Sequence, residues 1–160
     1  MSRLINYSYK MKQQITQVAE ISVSYRPAIV GKPIIKCALD AFVVLREFFE
    51  PETIQVNEKF LVMYLNKANR VLGVFPVSVE GITSTIVDLR LILSIALKTL
   101  TTSIILCHNH PSGSLTPSKQ DIDLTLKIKE AAKYLDIVIQ DHIIISFEQK
   151  YFSFADDGLI

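Results

Sequence analysis

Ser103-Ile104-Ile105-Leu106-Cys107-His108-Asn109-His110-Pro111-Ser112-Gly113-Ser114-Leu115-Thr116-Pro117-Ser118-Lys119-Gln120-Asp121 is the stretch on which the fold turns. Its first five residues are a short continuous apolar run, the pattern of a strand in the middle of a sheet covered on both faces. The polar segment His108 to Thr116 reads as a loop. Pro117 suits the first position of a helix, so the next helix is expected from Pro117 to about Leu135. That makes Thr116 the cap and places Ser118 and Asp121 inside the helix. A buried strand delivered through a loop into a helix is a building unit of an α/β sheet.

Working outward, Ile137 to Ile145 reads as a further strand and Tyr151 to Phe154 as a short last one. Upstream, Asp88 is placed to cap a helix whose buried face is Leu89, Ile92, Ala96, Leu97 and Leu100. Phe60 to Leu65 and Val71 to Val79 form a hairpin around the turn Asn66-Lys67-Ala68-Asn69. A helix starting near Pro33 carries Ile35, Leu39, Phe42, Leu45 and Phe49 on one face and stops before Pro51. Ile21, Val23 and Tyr25 alternate with serines in the manner of a half-buried strand. The expected order is β-α-β-β-α-β-α-β-β. This is a single α/β domain over residues 21–160, one mixed sheet with helices on its faces, preceded by a polar arm over residues 1–20.

Composition agrees with one globular domain. The 160 residues are 49% hydrophobic and 21% charged, enough apolar material for a core. Lys and Arg number 17 against 16 Asp and Glu, a net charge of +1. Dedicated nucleic-acid binders have a clearer basic excess, so this balance argues against DNA as the main partner. The two cysteines, Cys37 and Cys107, are too few for a disulfide scaffold and fit a reducing, cytoplasmic setting. The start lacks a signal peptide's apolar run. The most apolar stretch, Leu89 to Cys107, is broken by Arg90 and Lys98, so no membrane span is expected.

The chemistry gathers where the buried strand ends. Strand side chains two apart share a face, so His108 and His110 can reach one ion. Asp121, early in the next helix, can be folded back towards the same point. Two histidines and a carboxylate are a common catalytic zinc set that leaves a position for water, whose pKa the metal lowers to roughly 7. Ser118 lies three residues before Asp121 on the same helix face and can donate to an oxyanion. Glu58, at the start of the Phe60 strand, is the chosen proton shuttle, although spacing alone does not select it. A lone His-x-His is also often incidental, and Ser118-x-x-Asp121 has the form of a capping box. From the residues alone both readings stay open.

His108-x-His110, seven residues, Ser118, two residues and Asp121 resembles the JAMM (MPN-plus) metalloprotease motif. His-Asn-His-Pro-Ser-Gly followed by Thr-Pro-Ser-x-x-Asp is similar to its bacterial RadC-like branch. So are Glu58-Lys59-Phe60-Leu61-Val62, Val87-Asp88-Leu89-Arg90, Gln140-Asp141-His142-Ile143-Ile144-Ile145 and Tyr151-Phe152-Ser153-Phe154-Ala155. The likeness runs from about Ile21 to the end. It implies a JAB/MPN-like α/β domain holding a single Zn2+ through His108, His110 and Asp121. In it Ser118 is the oxyanion helper and Glu58 the acid/base that activates water. Full-length RadC-like proteins carry a helix-hairpin-helix region before this domain, and the residues before Ile21 are too few to hold one.

The expected activity is that of a zinc metallopeptidase acting on a peptide or isopeptide bond of a polypeptide substrate. The alternatives are a DNA repair or recombination accessory protein and a non-catalytic interaction module. An HNH nuclease is excluded because its named residues are dispersed over a ββα unit. A zinc nucleobase deaminase is excluded because it needs His-x-Glu and a later Cys pair. Among the remaining residues, Cys107 points to the opposite strand face and reads as core. Asn109 faces away and bonds the loop, and His142 reads as structural rather than as support for a ligand. Arg90 is expected to pair with a carboxylate such as Asp88 in preference to holding a substrate backbone. Lys119, Lys127, Lys129 and Lys133 form a solvated helix face.

Overall fold

The computed structural model describes residues 24–26, 31–80 and 87–160. Within them the order is α1 (Ala38–Arg46), β1 (Glu58–Leu65), β2 (Val71–Glu80), α2 (Leu89–Lys98), β3 (Ser103–Asn109), α3 (Lys119–Lys133), β4 (Val138–Ile145) and β5 (Tyr151–Ser153). The strands form one sheet in the order β2-β1-β3-β4-β5. The β3–β4 pair is parallel, joined by a crossover through α3, and the other pairs are antiparallel. This is the expected mixed sheet. The arm over residues 1–20 and most of the strand expected at Ile21 to Tyr25 lie outside the described residues. Tyr25 lies within them and donates its hydroxyl to the Leu72 carbonyl at 2.9 Å.

The central strands are buried on both faces, so their sequences run apolar without a break. Leu61, Met63, Leu65, Ile105 and Cys107 project to the side covered by α1, against Ala41, Leu45, Phe49 and Ile54. Phe60, Val62, Tyr64, Ile104 and Leu106 project to the other side, against Ile92 and Ala96 of α2 and Ile128 and Ala132 of α3. His108 continues the second set by strand alternation, which carries it to the edge of the α2–α3 side.

Two boundaries differ from expectation. The first helix begins at Ala38, not near Pro33. The backbone of residues 33–35 is instead extended and pairs with the β1–β2 turn, through Ile35 N to Asn69 O and Val71 N to Pro33 O, both at 2.9 Å. The Asp40 carboxylate accepts from the Lys36 amide at 2.9 Å and sets the start of α1. The third helix begins at Lys119, two residues after Pro117, with Ser118 as its cap. Asp88 caps α2 as expected, its side chain accepting from Arg90 N.

β4 contains the irregularity that matters most for the site. Its pairing with β3 steps between Ile104↔Ile139 and Ile105↔Asp141, leaving Gln140 as an extra residue. Ile139 belongs to the α2–α3 side and Ile143 to the α1 side, although they are four residues apart. The bulge has reversed the alternation between them. His142, level with Leu106 in register, therefore turns towards the face that carries His108.

Candidate metal centre

Three elements meet at the C-terminal end of β3. His108 is the penultimate residue of that strand and only 1% exposed. His110 lies just past the strand, its amide bonded to the Ile145 carbonyl at 3.4 Å. A tight turn follows, in which the Gly113 amide reaches the His110 carbonyl at 2.9 Å. Gly113 has φ +79°, and a Cβ there would stand 2.6 Å from the Phe147 ring, so only glycine fits. The turn brings the Ser114 carbonyl to the His110 Nδ1 at 2.8 Å. Asp121 arrives from the first turn of α3.

The result is a compact set of basic atoms. The Nε2 atoms of His108 and His110 stand 2.9 Å apart. The Asp121 carboxylate gives one oxygen to each ring, Oδ1 at 3.3 Å from His108 Nε2 and Oδ2 at 3.5 Å from His110 Nε2. One ligand atom from each of the three residues lies within 4.8 Å of the others, a spread that one ion can span. His110 must donate its Nδ1 proton to the Ser114 carbonyl, which leaves Nε2 of the neutral ring bare. A cation serves all three donors at once, whereas a proton serves only two. The residues therefore fit a divalent metal with borderline nitrogen and oxygen preferences.

The electrostatics agree. Burial pushes the Asp121 carboxyl up, but the imidazoles of His108 and His110 that face it outweigh burial and hold the group well below the ordinary carboxylate range. The same carboxylate raises His110, against the opposing effect of burial, and the charge of Glu58 adds to the rise.

The structure places Ser118 differently from the expectation. It is the helix cap itself: its hydroxyl oxygen accepts from Asp121 N at 3.1 Å, and Asp121 Oδ2 accepts from Ser118 N at 2.6 Å. The reciprocal pair is a capping box. Pro117 precedes the cap, and the pair satisfies the Ser118 and Asp121 amides. The capping bond also orients the Asp121 carboxylate, so the box and the metal cluster share one side chain.

Glu58 opens β1 two residues before Phe60, which is level with His108. Strand alternation puts it on the face of Phe60 and His108. It stands outside the three-residue cluster. Asn109, fully buried, points to the opposite face as expected. It accepts from Lys59 N at 2.8 Å and donates to the carbonyls of Ile54 at 2.7 Å and Asn57 at 2.9 Å. It thereby pins the segment that leads into Glu58. Cys107 is sealed in the α1-side core, where burial pushes its thiol up. Arg90 pairs with Asp88 at 2.8 Å. Lys119, Lys127, Lys129 and Lys133 are exposed.

His142 needs correction. It is not a bystander in the core: its Nε2 stands 2.8 Å from His108 Nδ1 and its Nδ1 2.6 Å from the Thr125 hydroxyl. Burial holds it well below the ordinary imidazole value. Thr125 drew no attention in the sequence. The signal for both was weak, since the bulge at Gln140 hides the facing of His142 from a simple period-2 reading.

Fold and cluster together define an α/β domain with a His-His-carboxylate centre at the end of a middle strand. A family model, the RadC-like JAB domain, matches residues 35–159, and the chain belongs to that family. It is 48% identical over 103 residues to a UPF0758 protein of Flavobacterium johnsoniae, covering 64% of this chain and 44% of that one. It is 42% identical over 104 residues to a UPF0758 protein of Porphyromonas gingivalis (65% and 46% covered). With one of Clostridium botulinum it shares 46% over 104 residues (65% and 45% covered). The chain thus matches less than half the length of these relatives. Among the described residues no helix is long and apolar enough to cross a membrane.

Proposed function

We propose that this chain is a zinc-dependent hydrolase of the JAMM type that cleaves a peptide or isopeptide bond. The observation that carries the proposal is the convergence of His108 Nε2, His110 Nε2 and the Asp121 carboxylate within 4.8 Å. Two imidazoles and a carboxylate are a common catalytic zinc set with a coordination position left open. When bound, zinc supplies a Lewis acid and lowers the pKa of water to roughly 7.

The chain's own groups handle the protons. Glu58 accepts one from the attacking water and passes it to the leaving amine. Its position on the His108 face, close enough to His110 to raise that imidazole, supports the role. The Ser118 oxygen is used as an acceptor from Asp121 N, so its own proton is free. That proton is donated to the substrate carbonyl oxygen as negative charge builds there. The substrate is a polypeptide rather than a nucleic acid, in keeping with a net charge of only +1. The chain works in the cytoplasm, where Cys37 and Cys107 remain thiols.

Purified protein is expected to hold about one zinc per chain by elemental analysis, and His108→Ala or Asp121→Ala to lose most of it. Glu58→Gln is expected to keep the metal and lose on the order of 100-fold in hydrolysis of peptide- and isopeptide-linked substrates. Wild-type protein that takes up no zinc, or full activity in Glu58→Gln, overturns the proposal. Tight DNA binding with a steep salt dependence in gel shifts would favour the nucleic-acid reading instead.

A further inference from the structure

A line of hydrogen bonds runs behind the metal cluster, and its direction follows from counting protons. The Thr125 hydroxyl lies 2.6 Å from the Asp121 backbone carbonyl, which can only accept. The single Thr125 proton is therefore committed there, and the hydroxyl oxygen meets the ring of His142 as an acceptor. At 2.6 Å from that oxygen, His142 Nδ1 must carry a proton and donate it. The His142 ring is fully buried. Among the described residues its hydrogen-bond and aromatic partners are the Thr125 hydroxyl, the His108 ring and the rings of Phe60 and Phe154, none of them a carboxylate. Such a ring is neutral and has one N–H. That proton being on Nδ1, His142 Nε2 is a bare lone pair, and at 2.8 Å it accepts from His108 Nδ1. His108 then has its proton on Nδ1, and its Nε2 faces His110 and Asp121 without one.

The geometry points to Thr125 and His142 as a positioning pair that fixes the tautomer and ring plane of His108, so that Nε2 is presented ready to ligate a metal. This rests on the metal-site reading above. His110 obtains the same result from a backbone carbonyl, Ser114 O. For His108 the device is made of side chains. The Thr125 hydroxyl touches the backbone of one ligand, Asp121, while its effect is felt at another, His108. A rotation of the first turn of α3 therefore disturbs two ligands together. Partners of this kind, on the far nitrogen of a ligating histidine, commonly govern metal affinity by 10–100-fold.

The test uses Thr125→Val and Thr125→Ser. Valine removes the acceptor for His142 Nδ1. The His142 proton then moves to Nε2 and donates to His108 Nδ1, which forces the His108 proton onto Nε2, where it blocks ligation. Nitrogen-15 NMR of the metal-free full chain is expected to show His108 as the Nδ1–H tautomer in wild type and Thr125→Ser, and as Nε2–H in Thr125→Val. Competition with a chromophoric chelator is expected to show zinc bound about 10–100-fold more weakly by Thr125→Val, with Thr125→Ser near wild type. A purely packing role would lower stability in Thr125→Val and leave tautomer and affinity unmoved. That result, or an Nε2–H tautomer in wild type, overturns the inference. Should Thr125→Val fail to fold, the wild-type tautomer decides. Wild type that binds no zinc while showing the Nδ1–H tautomer sinks the metal reading and leaves the proton direction standing.

Discussion

At the scale of single residues, one side chain between the two histidines shows how the site is held from behind. Asn109 donates to two carbonyls and accepts from one amide, so its amide group uses both of its chemistries at once. Asn109→Asp keeps the shape and removes the donors, setting a carboxylate against the Ile54 and Asn57 carbonyls. The expected cost is on the order of 2–3 kcal/mol, read as a shift in denaturation midpoint. Glu58 should be displaced with it, so activity is expected to fall further than the loss of folded protein explains. Equal stability of Asn109→Asp and wild type would contradict this account. The facing of Asn109 and Cys107 was legible in the sequence because β3 alternates without interruption. The pairing of His142 with His108 was not, because it depends on where a neighbouring strand carries its extra residue.

At the scale of elements, the loop from His110 to Ser118 folds the start of α3 back onto the strand end and closes the candidate metal cluster. Its shape depends on Gly113, whose positive φ and contact with Phe147 exclude a side chain. Gly113→Ala is expected to cost about 1–3 kcal/mol in strain and to pull the Ser114 carbonyl away from His110. The thermal midpoint and the zinc affinity should therefore fall together. A variant that loses stability but keeps its affinity would show that the loop does not orient His110. The start of α3 was misjudged from sequence for a physical reason. Proline at a first helical position and serine in a capping box are both favourable, and the sequence offers both one residue apart. The two reciprocal hydrogen bonds between Ser118 and Asp121 decided it.

At the scale of the whole molecule, the fold class and the order of the described elements along the chain were legible because a sheet buried on both faces writes long apolar runs. The first helix was misplaced, since pairing of residues 33–35 with the β1–β2 turn depends on contacts far along the chain. The same two-sided burial gives a global prediction. Tyr64 is 1% exposed, and burial raises its phenol well above the ordinary value near 10. A raised native value means that its contribution to stability is complete below pH 10 and is lost as pH climbs towards the native value. The slope is about 1.4 kcal/mol per pH unit. Alkaline unfolding is thus expected to coincide with Tyr64 ionisation at 295 nm, and Tyr64→Phe should unfold at higher pH. An unchanged alkaline midpoint in that variant would count against it.

The extra residue at Gln140 has an effect on what this family member can tolerate as it diverges. Strand beginnings usually accept gain or loss of a residue with little harm. Here, losing Gln140 would only remove the bulge and leave His142 level with Leu106, whereas one further position between Val138 and Asp141 would need a second bulge or swing the His142 imidazole to the opposite side of the sheet, away from His108. A one-codon insertion in that short stretch is therefore expected to weaken zinc uptake at the proposed site, whereas deletion of Gln140 should cost only its hydrogen bonds to Asn69 and Ser103.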